Sequence, residues 1–131
     1  MIYSEANVLW TFPDPSAPLV GDPHLSPLGE TCLVEFSFQI AERRSEAVSL
    51  LFDRVASYRC TLRQALSPPV LRTFQGRLTE ITGSAWKDEV LAALMDNGTP
   101  PSSPLRHLVI CFEEGPCYDF ICGGFEARSR P

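Results

Sequence analysis

The segment that decides the fold lies at residues 105–126, which read LRHLVICFEEGPCYDFICGGFE. Two runs rich in apolar residues flank the sequence Glu113-Glu114-Gly115, and a short loop with glycine in the left-handed conformation commonly joins antiparallel strands. Proline cannot adopt that conformation, so we expect the positive φ at Gly115 and not at Pro116. The sequence therefore predicts a C-terminal hairpin over residues 105–126.

The turn fixes a register that sorts the side chains of this hairpin onto two faces. Ile110 should lie opposite Tyr118 and Leu108 opposite Phe120, so that the bulky apolar side chains share one face. The other face carries a mixed set of residues: His107, Val109, Cys111, Cys117, Asp119 and Ile121. Any chemistry in this chain is expected first on that second face.

That second face admits three interpretations. Cys111 should lie directly across from Cys117, and His107 diagonally from Asp119, within side-chain reach. Metal binding would suit these residue types, but the close Cys pairs of structural zinc sites are missing. A thiol nucleophile assisted by His and Asp would also suit them, but no oxyanion donor is recognisable. We favour the third interpretation, in which the cysteines act as small hydrophobic residues. It extends to the remaining cysteines, Cys32, Cys60 and Cys122.

Three strand regions are predicted upstream of the hairpin. Residues 31–40 alternate between apolar and polar side chains, which is typical of a strand with one buried face. Residues 47–63 are expected to form one strand or a bent pair, with a bulge or turn near residues 53–55. A shorter strand is expected at residues 8–12. Together with the hairpin, these regions predict a mostly antiparallel sheet of about five strands.

Two helices complete the prediction. Ser67 and Ser84 are suitable N-caps, the first for a short helix at about 68–75 and the second for the main helix at about 85–96. The main helix carries one apolar stripe, which we expect to face the core. The stripe consists of Trp86, Val90, Leu91, Leu94 and Met95. Both helices should pack on one face of the sheet, so the fold class is α+β.

The length of 131 residues is that of a single domain, 1–131. Residues 13–29 contain five prolines and are expected to form a proline-rich loop, because no helix or strand pattern runs through them. Residues 96–104 form a second proline-rich link, which leads into the hairpin.

Composition narrows the classes of function. The net charge of −5 argues against nucleic acid as a partner, because phosphate binding requires a basic surface. No apolar run is long enough to cross a membrane, and no signal peptide is recognised. Five cysteines are an odd number, which a secreted disulfide framework rarely uses. We therefore expect a cytoplasmic protein with reduced thiols, no cofactor and no membrane association.

Two stretches resemble a known group of proteins. The first is the strand from Phe52 to Thr61, with its Tyr58-Arg59 pair. The second is HLVICF at residues 107–112, followed by CYDF at residues 117–120. They resemble small bacterial proteins that include immunity proteins encoded beside polymorphic toxins. The resemblance implies a protein partner, and it transfers no catalytic residue to this chain.

The leading hypothesis is therefore a non-enzymatic protein-binding module, most concretely a bacterial immunity protein that inhibits a basic toxin. The candidate binding residues are Glu113, Glu114, Arg59, Arg63, His107 and Asp119. An alternative is a small-ligand-binding or thiol-dependent catalytic domain that uses the second face of the hairpin. A further alternative is a structural subunit that forms homo-oligomers by pairing exposed sheet edges.

Overall fold

The structure is a computed structural model that describes residues 5–14 and 17–130 of the chain. Along the sequence the elements are β1 (Glu5–Thr11), β2 (His24–Leu28), β3 (Thr31–Ala41), β4 (Arg44–Asp53), β5 (Ser57–Thr61), a 3-10 helix (Arg63–Ala65), α1 (Pro68–Phe74), β6 (Arg77–Thr82), α2 (Ala85–Asp96), β7 (Arg106–Cys111), β8 (Cys117–Cys122) and β9 (Gly124–Arg130). The predicted α+β class is confirmed.

The strands form two antiparallel sheets. Sheet A has five strands in the order β1-β6-β7-β8-β5, and sheet B has four in the order β2-β3-β4-β9. The chain passes from sheet A to sheet B at Gly123, the single residue between β8 and β9. Sheet A has the predicted number of five strands, but the predicted strands are divided between the two sheets. The region 31–40 and the first part of 47–63 belong to sheet B as β3 and β4.

The main hydrophobic core lies between the two sheets. Phe36 and Phe38 on β3 pack there with Phe112, which follows β7. Phe52 of β4 stacks on Phe120 of β8, with ring centroids 3.9 Å apart. Full burial of one such ring is worth roughly 1.5–3 kcal/mol, so these contacts bind the sheets firmly face to face. The inward face of the C-terminal hairpin therefore belongs to the core.

A second apolar cluster covers the outer face of sheet A, the face turned away from sheet B. Phe74 of α1 is buried there against Ile81, Val109 and the Cys111–Cys117 pair. The start of α2 lies on the same face, where Ser84 and Trp86 contact His107. Both helices thus pack on one face, as the sequence predicts.

The prediction for the apolar stripe of α2 is wrong. None of the residues of α2 is buried, and Leu91 and Met95 are 37% and 57% exposed. Trp86, expected in the core, is only half-buried and lies at the outer surface of sheet A. The reason is that sheet B and α1 supply the apolar cover that the stripe was expected to provide. The stripe keeps only partial contact with the body, since Val90 and Leu94 are half-buried.

Three strands went unrecognised in the sequence. β2 lies inside the segment 13–29 that was expected to be a loop, and it forms an edge of sheet B, where Pro27 is tolerated. β6 is a short central strand of sheet A between the two helices. β9 continues from the hairpin but pairs with β4 in the other sheet. The 47–63 region forms two strands, β4 and β5, with a break at Arg54, whose φ is +49°.

Candidate functional site

The register of the C-terminal hairpin is as predicted. Ile110 pairs with Tyr118 and Leu108 with Phe120, and all four side chains belong to the core between the sheets. Gly115 has a φ of +70°. The second face of the hairpin therefore lies on the outer surface of sheet A, beneath the helices.

Cys111 and Cys117 lie directly across from each other and are joined by a disulfide. Both residues are buried. Both pack in the outer apolar cluster, as the favoured interpretation expects. The disulfide contradicts the expectation of reduced thiols for these two cysteines. Because the disulfide occupies both sulfurs, neither is available as the nucleophilic thiolate that the catalytic alternative requires.

The remaining cysteines differ in their environments. Cys32 and Cys122 are buried as expected, and burial raises the pKa of Cys122 to about 12. Cys60 is exposed, which corrects the expectation that it packs as a hydrophobic residue. It lies on β5, at an edge of sheet A.

His107 is the centre of a buried polar network on the outer face of sheet A. It is 1% exposed, and its Nδ1 lies 2.8 Å from Oγ of Ser84 while its Nε2 lies 2.8 Å from Oδ1 of Asp119. Ser84 is the N-cap of α2, and its Oγ accepts a hydrogen bond from the backbone N–H of Lys87.

The hydrogen bonds of this network indicate one arrangement of protons. Since a carboxylate only accepts, Nε2 of His107 donates to Asp119. In the neutral imidazole Nδ1 is then the acceptor, and the hydroxyl of Ser84 donates to it. Ser84 thus accepts from the helix backbone and donates to the ring, so one residue links α2 to sheet A.

Asp119 has a second polar neighbour, the guanidinium of Arg59 on β5. The two residues are paired across β5 and β8, and Nε of Arg59 lies 3.5 Å from Oδ2 of Asp119. The guanidinium of Arg59 lies over the ring of Trp86, 4.3 Å from its centroid. Trp86 in turn meets His107 edge to face, with centroids 5.1 Å apart. Arg59, Trp86, His107 and Asp119 therefore form a closed ring of contacts, which we call the His107 cluster.

A cavity of about 280 Å³ adjoins the His107 cluster. It lies between α1, β5 and the hairpin, and both Arg59 and Asp119 line it. Its other walls are mostly apolar and include Val70, Phe74 and the Cys111–Cys117 disulfide.

The residue types Ser, His and Asp invite comparison with a hydrolase triad, but their geometry suits another role. Ser84 is 5% exposed and does not line the cavity, and its oxygen already caps α2. A nucleophile must reach the substrate, whereas here it is Asp119 that meets the cavity. The chain of hydrogen bonds therefore orients the carboxylate of Asp119.

The other candidate residues lie elsewhere. Glu113 and Glu114 are exposed in the turn of the hairpin. Arg63 is exposed in the 3-10 helix and lies against that turn, since a Cβ at Gly115 would be 3.0 Å from its Cβ. The structure thus groups Arg59, His107 and Asp119 in one cluster and places Arg63 beside the acidic turn.

Sequence reasoning missed two members of the site. Ser84 was recognised as an N-cap, but its contact with His107 depends on where α2 lies over the sheet. Trp86 was expected in the core, but its ring lies at the surface against the guanidinium of Arg59. Ser84 is the N-cap of α2 and Trp86 lies in its first turn. The cap signal at Ser84 was the one indication in the sequence of where this turn begins.

Comparisons of this chain with protein-family models, with curated proteins and with solved structures found no match. None of the helices in the described ranges is long and apolar enough to span a membrane. Within residues 5–14 and 17–130, no group of three or more His, Cys, Asp or Glu side chains is placed to hold a metal ion.

Proposed function

We propose that this protein is a non-enzymatic protein-binding module, most concretely an immunity-type inhibitor that binds a basic toxin. The observation that carries the proposal is the exposed apolar surface of α2. Leu91 and Met95 are 37% and 57% exposed, so both present apolar side-chain surface to water. Exposed apolar side chains with a polar rim are typical of surfaces that bind another protein.

The helix that carries these two apolar residues also carries exposed acidic side chains. Asp88, Glu89 and Asp96 lie on the same helix and are all exposed. A basic partner would be attracted by this charge and then held by Leu91 and Met95 in the desolvated centre of the interface. The net charge of −5 of the whole chain also attracts a basic partner.

A second acidic patch lies on the hairpin turn, where Glu113 and Glu114 are exposed next to Arg63. This turn supports the proposal as a steering element, because exposed charges change the rate of association more than the lifetime of the complex. Reversing both charges should therefore slow binding, most of all at low salt.

The buried state of the polar network also supports binding over catalysis. Ser84 and His107 are buried beneath the start of α2, where Trp86 packs against His107. Cys111 and Cys117 are bonded to each other in a disulfide. In this proposal the protein acts in the bacterial cytoplasm. The Cys111–Cys117 disulfide is uncommon for a reducing compartment, and both residues are buried.

The test is binding to the product of a toxin gene adjacent to the gene for this protein, measured by calorimetry and by rescue of growth on co-expression. Leu91→Ala and Met95→Ala should each weaken binding by about tenfold or more, mainly through faster dissociation. Glu126→Lys is the control, because Glu126 lies on sheet B in an exposed ion pair with Arg128. Lack of binding, or unchanged affinity in both α2 variants, would contradict the proposal.

A second candidate, self-association, is favoured by the exposed edge of sheet A. β5 forms that edge, and Tyr58 on this strand and Leu62 just after it are 42% and 58% exposed. Exposed edge strands pair readily with other strands. The mass of the protein in solution decides this point: a monomer at micromolar concentration would argue against self-association, and Leu62→Glu should dissociate any dimer formed by this edge.

A further inference from the structure

The cavity beside the His107 cluster combines charged groups of both signs with an apolar wall. Arg59 and Asp119 supply the charges, and Val70, Phe74 and the buried disulfide supply the apolar surface. Its volume of about 280 Å³ lies just below the usual range for small-molecule sites. A ligand for this cavity must therefore be smaller than a typical drug.

Asp119 offers one carboxylate oxygen to this cavity. The residue is 5% exposed, and its Oδ1 is held by His107. Within the described part of the chain, no hydrogen bond to its Oδ2 is found, and Nε of Arg59 lies 3.5 Å from this oxygen. A carboxylate oxygen has lone pairs for more than one donor, so Oδ2 retains the capacity to accept from a cationic group in the cavity.

Arg59 offers its donors to the same space. A guanidinium has five N–H donors, and Arg59 makes no hydrogen bond to another residue of the described ranges. The stacking on Trp86 holds the guanidinium plane in place. A planar group fixed in this way is suited to bind a carboxylate through two parallel hydrogen bonds.

The presence of both charges restricts the class of ligand. A simple anion would be attracted by Arg59 but repelled by the negative charge of Asp119. A simple cation would be attracted by Asp119 but repelled by Arg59. A zwitterion satisfies both groups at once, and an apolar side chain fits against Val70 and Phe74.

We propose that this cavity binds a free amino acid with an apolar side chain. Its carboxylate pairs with Arg59, and its ammonium group donates to Oδ2 of Asp119. The relay from Ser84 through His107 keeps Asp119 oriented for this contact. The site is separate from the α2 surface, because neither Leu91 nor Met95 lines the cavity.

The test is calorimetric titration of the full chain with L-leucine and L-phenylalanine, alongside two analogues of leucine. The first analogue, 4-methylpentanoate, lacks the ammonium group, and the second, 3-methylbutylamine, lacks the carboxylate. We expect saturable binding of at least one of the amino acids at millimolar concentration or below. We also expect both analogues of leucine to bind at least about tenfold more weakly than leucine does. The fluorescence of Trp86 should change on binding, because the ligand engages the guanidinium stacked on it.

Variants separate this site from a nonspecific effect. Arg59→Gln should weaken binding by about tenfold or more, since it removes the charge-assisted contact to the carboxylate. Arg72→Gln, on the exposed side of α1 and outside the cavity, is the matched control and should bind normally. Val70→Phe should abolish binding by filling the cavity. Circular dichroism and thermal unfolding establish that each variant is folded.

Three outcomes would overturn the proposal. One is the absence of saturable binding by either amino acid. Another is equal affinity for leucine and 4-methylpentanoate, which would define a plain anion site. The third is unchanged affinity in folded Arg59→Gln protein.

Discussion

His107 and Asp119 are bonded across β7 and β8, from Nε2 to Oδ1 at 2.8 Å, although they are not directly paired in the sheet. His107 pairs with Ile121, and Asp119 pairs with Val109. The bond is therefore a diagonal contact of the kind that long side chains make on one face of a sheet. The carboxylate of Asp119 is thereby buried under the helices. The free-energy cost of burying this charge depends on its hydrogen-bonding and ionic partners.

Removing His107 should be strongly destabilising. His107→Ala takes away the hydrogen-bond donor to a carboxylate that is almost fully buried. Leaving such a charged group without its partner costs about 1–3 kcal/mol or more. The free energy of unfolding, measured with urea, tests this. His24→Ala is the control, because His24 is exposed and its loss should change stability by less than about 0.5 kcal/mol. A cost below about 1 kcal/mol for His107→Ala would contradict the role of the network.

The two N-caps offer a direct comparison. Ser84 and Ser67 each accept a hydrogen bond from the backbone of their own helix, but only Ser84 also contacts His107. Ser67→Ala should cost about 0.5–1 kcal/mol of unfolding free energy. Ser84→Ala should cost about 1 kcal/mol more, because Nδ1 of His107 loses its buried partner. Equal costs in chemical denaturation would show that the contact with His107 adds nothing.

The turn of the hairpin should not tolerate a side chain. Gly115 and Gly98 have the same φ of +70°, but a Cβ at Gly115 would lie 3.0 Å from both N and Cβ of Arg63, whereas Gly98 has no neighbour within 4 Å. Gly98→Ala should therefore show only the conformational cost of about 1 kcal/mol. Gly115→Ala should exceed it by about 1–2 kcal/mol because of crowding. Thermal unfolding of the two variants measures the difference, and equal losses would argue against the contact with Arg63.

Stability should depend on pH through Glu80. Two hydrogen bonds from Arg106 lower the pKa of Glu80 below its ordinary value. A carboxyl group with a lowered folded-state pKa stabilises the fold above its unfolded pKa of about 4.3, and this contribution is lost as the pH falls through the folded pKa. Glu80→Gln should therefore cost about 1–2 kcal/mol at pH 7 and much less in acid.

The control for Glu80 is Glu126, whose ion pair with Arg128 is exposed. Glu126→Gln should change stability by less than about 1 kcal/mol at any pH. The free energy of unfolding, measured against pH for the wild type and for Glu80→Gln, tests this prediction. If the two curves run parallel from neutral to acidic pH, the ion pair of Glu80 with Arg106 does not stabilise the fold as expected.

The cysteines should differ in their reactivity towards iodoacetamide. Cys60 is exposed and should be alkylated in the folded protein. Cys122 should resist, because burial raises its pKa to about 12 and also blocks access. Cys111 and Cys117 should remain unlabelled until the protein is unfolded and reduced. Mass spectrometry of digested protein identifies the labelled sites, and labelling of Cys122 as fast as Cys60 would contradict the buried placement.

The hairpin could be predicted from the sequence because its signals are local. The glycine at position 115 sets the turn, and the alternation on either side sets the register. His107 and Asp119 follow from that register alone. The same reasoning found both N-caps, because an N-cap depends on residues within one helical turn.

The rest depends on contacts between distant segments. The sequence of β9 does not reveal that it leaves the hairpin to pair with β4, and the second sheet that results removes α2 from the core. An amphipathic stripe shows which residues could be buried together, but not whether another element has already covered the sheet. For this reason Trp86 was misplaced, and its contacts with Arg59 and His107 were not foreseen.

Gly123 affects how sheets A and B separate when the protein unfolds. A Cβ at this position would lie 2.5 Å from Nε of Arg54, so the chain changes sheets there in close contact with the strained bend after β4. With only one residue between β8 and β9, neither strand can detach without pulling on the other. Loss of β9 would also strip the outer hydrogen-bonding edge of β4 and leave it open to pairing with foreign chains. Damage to the final strand is therefore expected to appear first as aggregation.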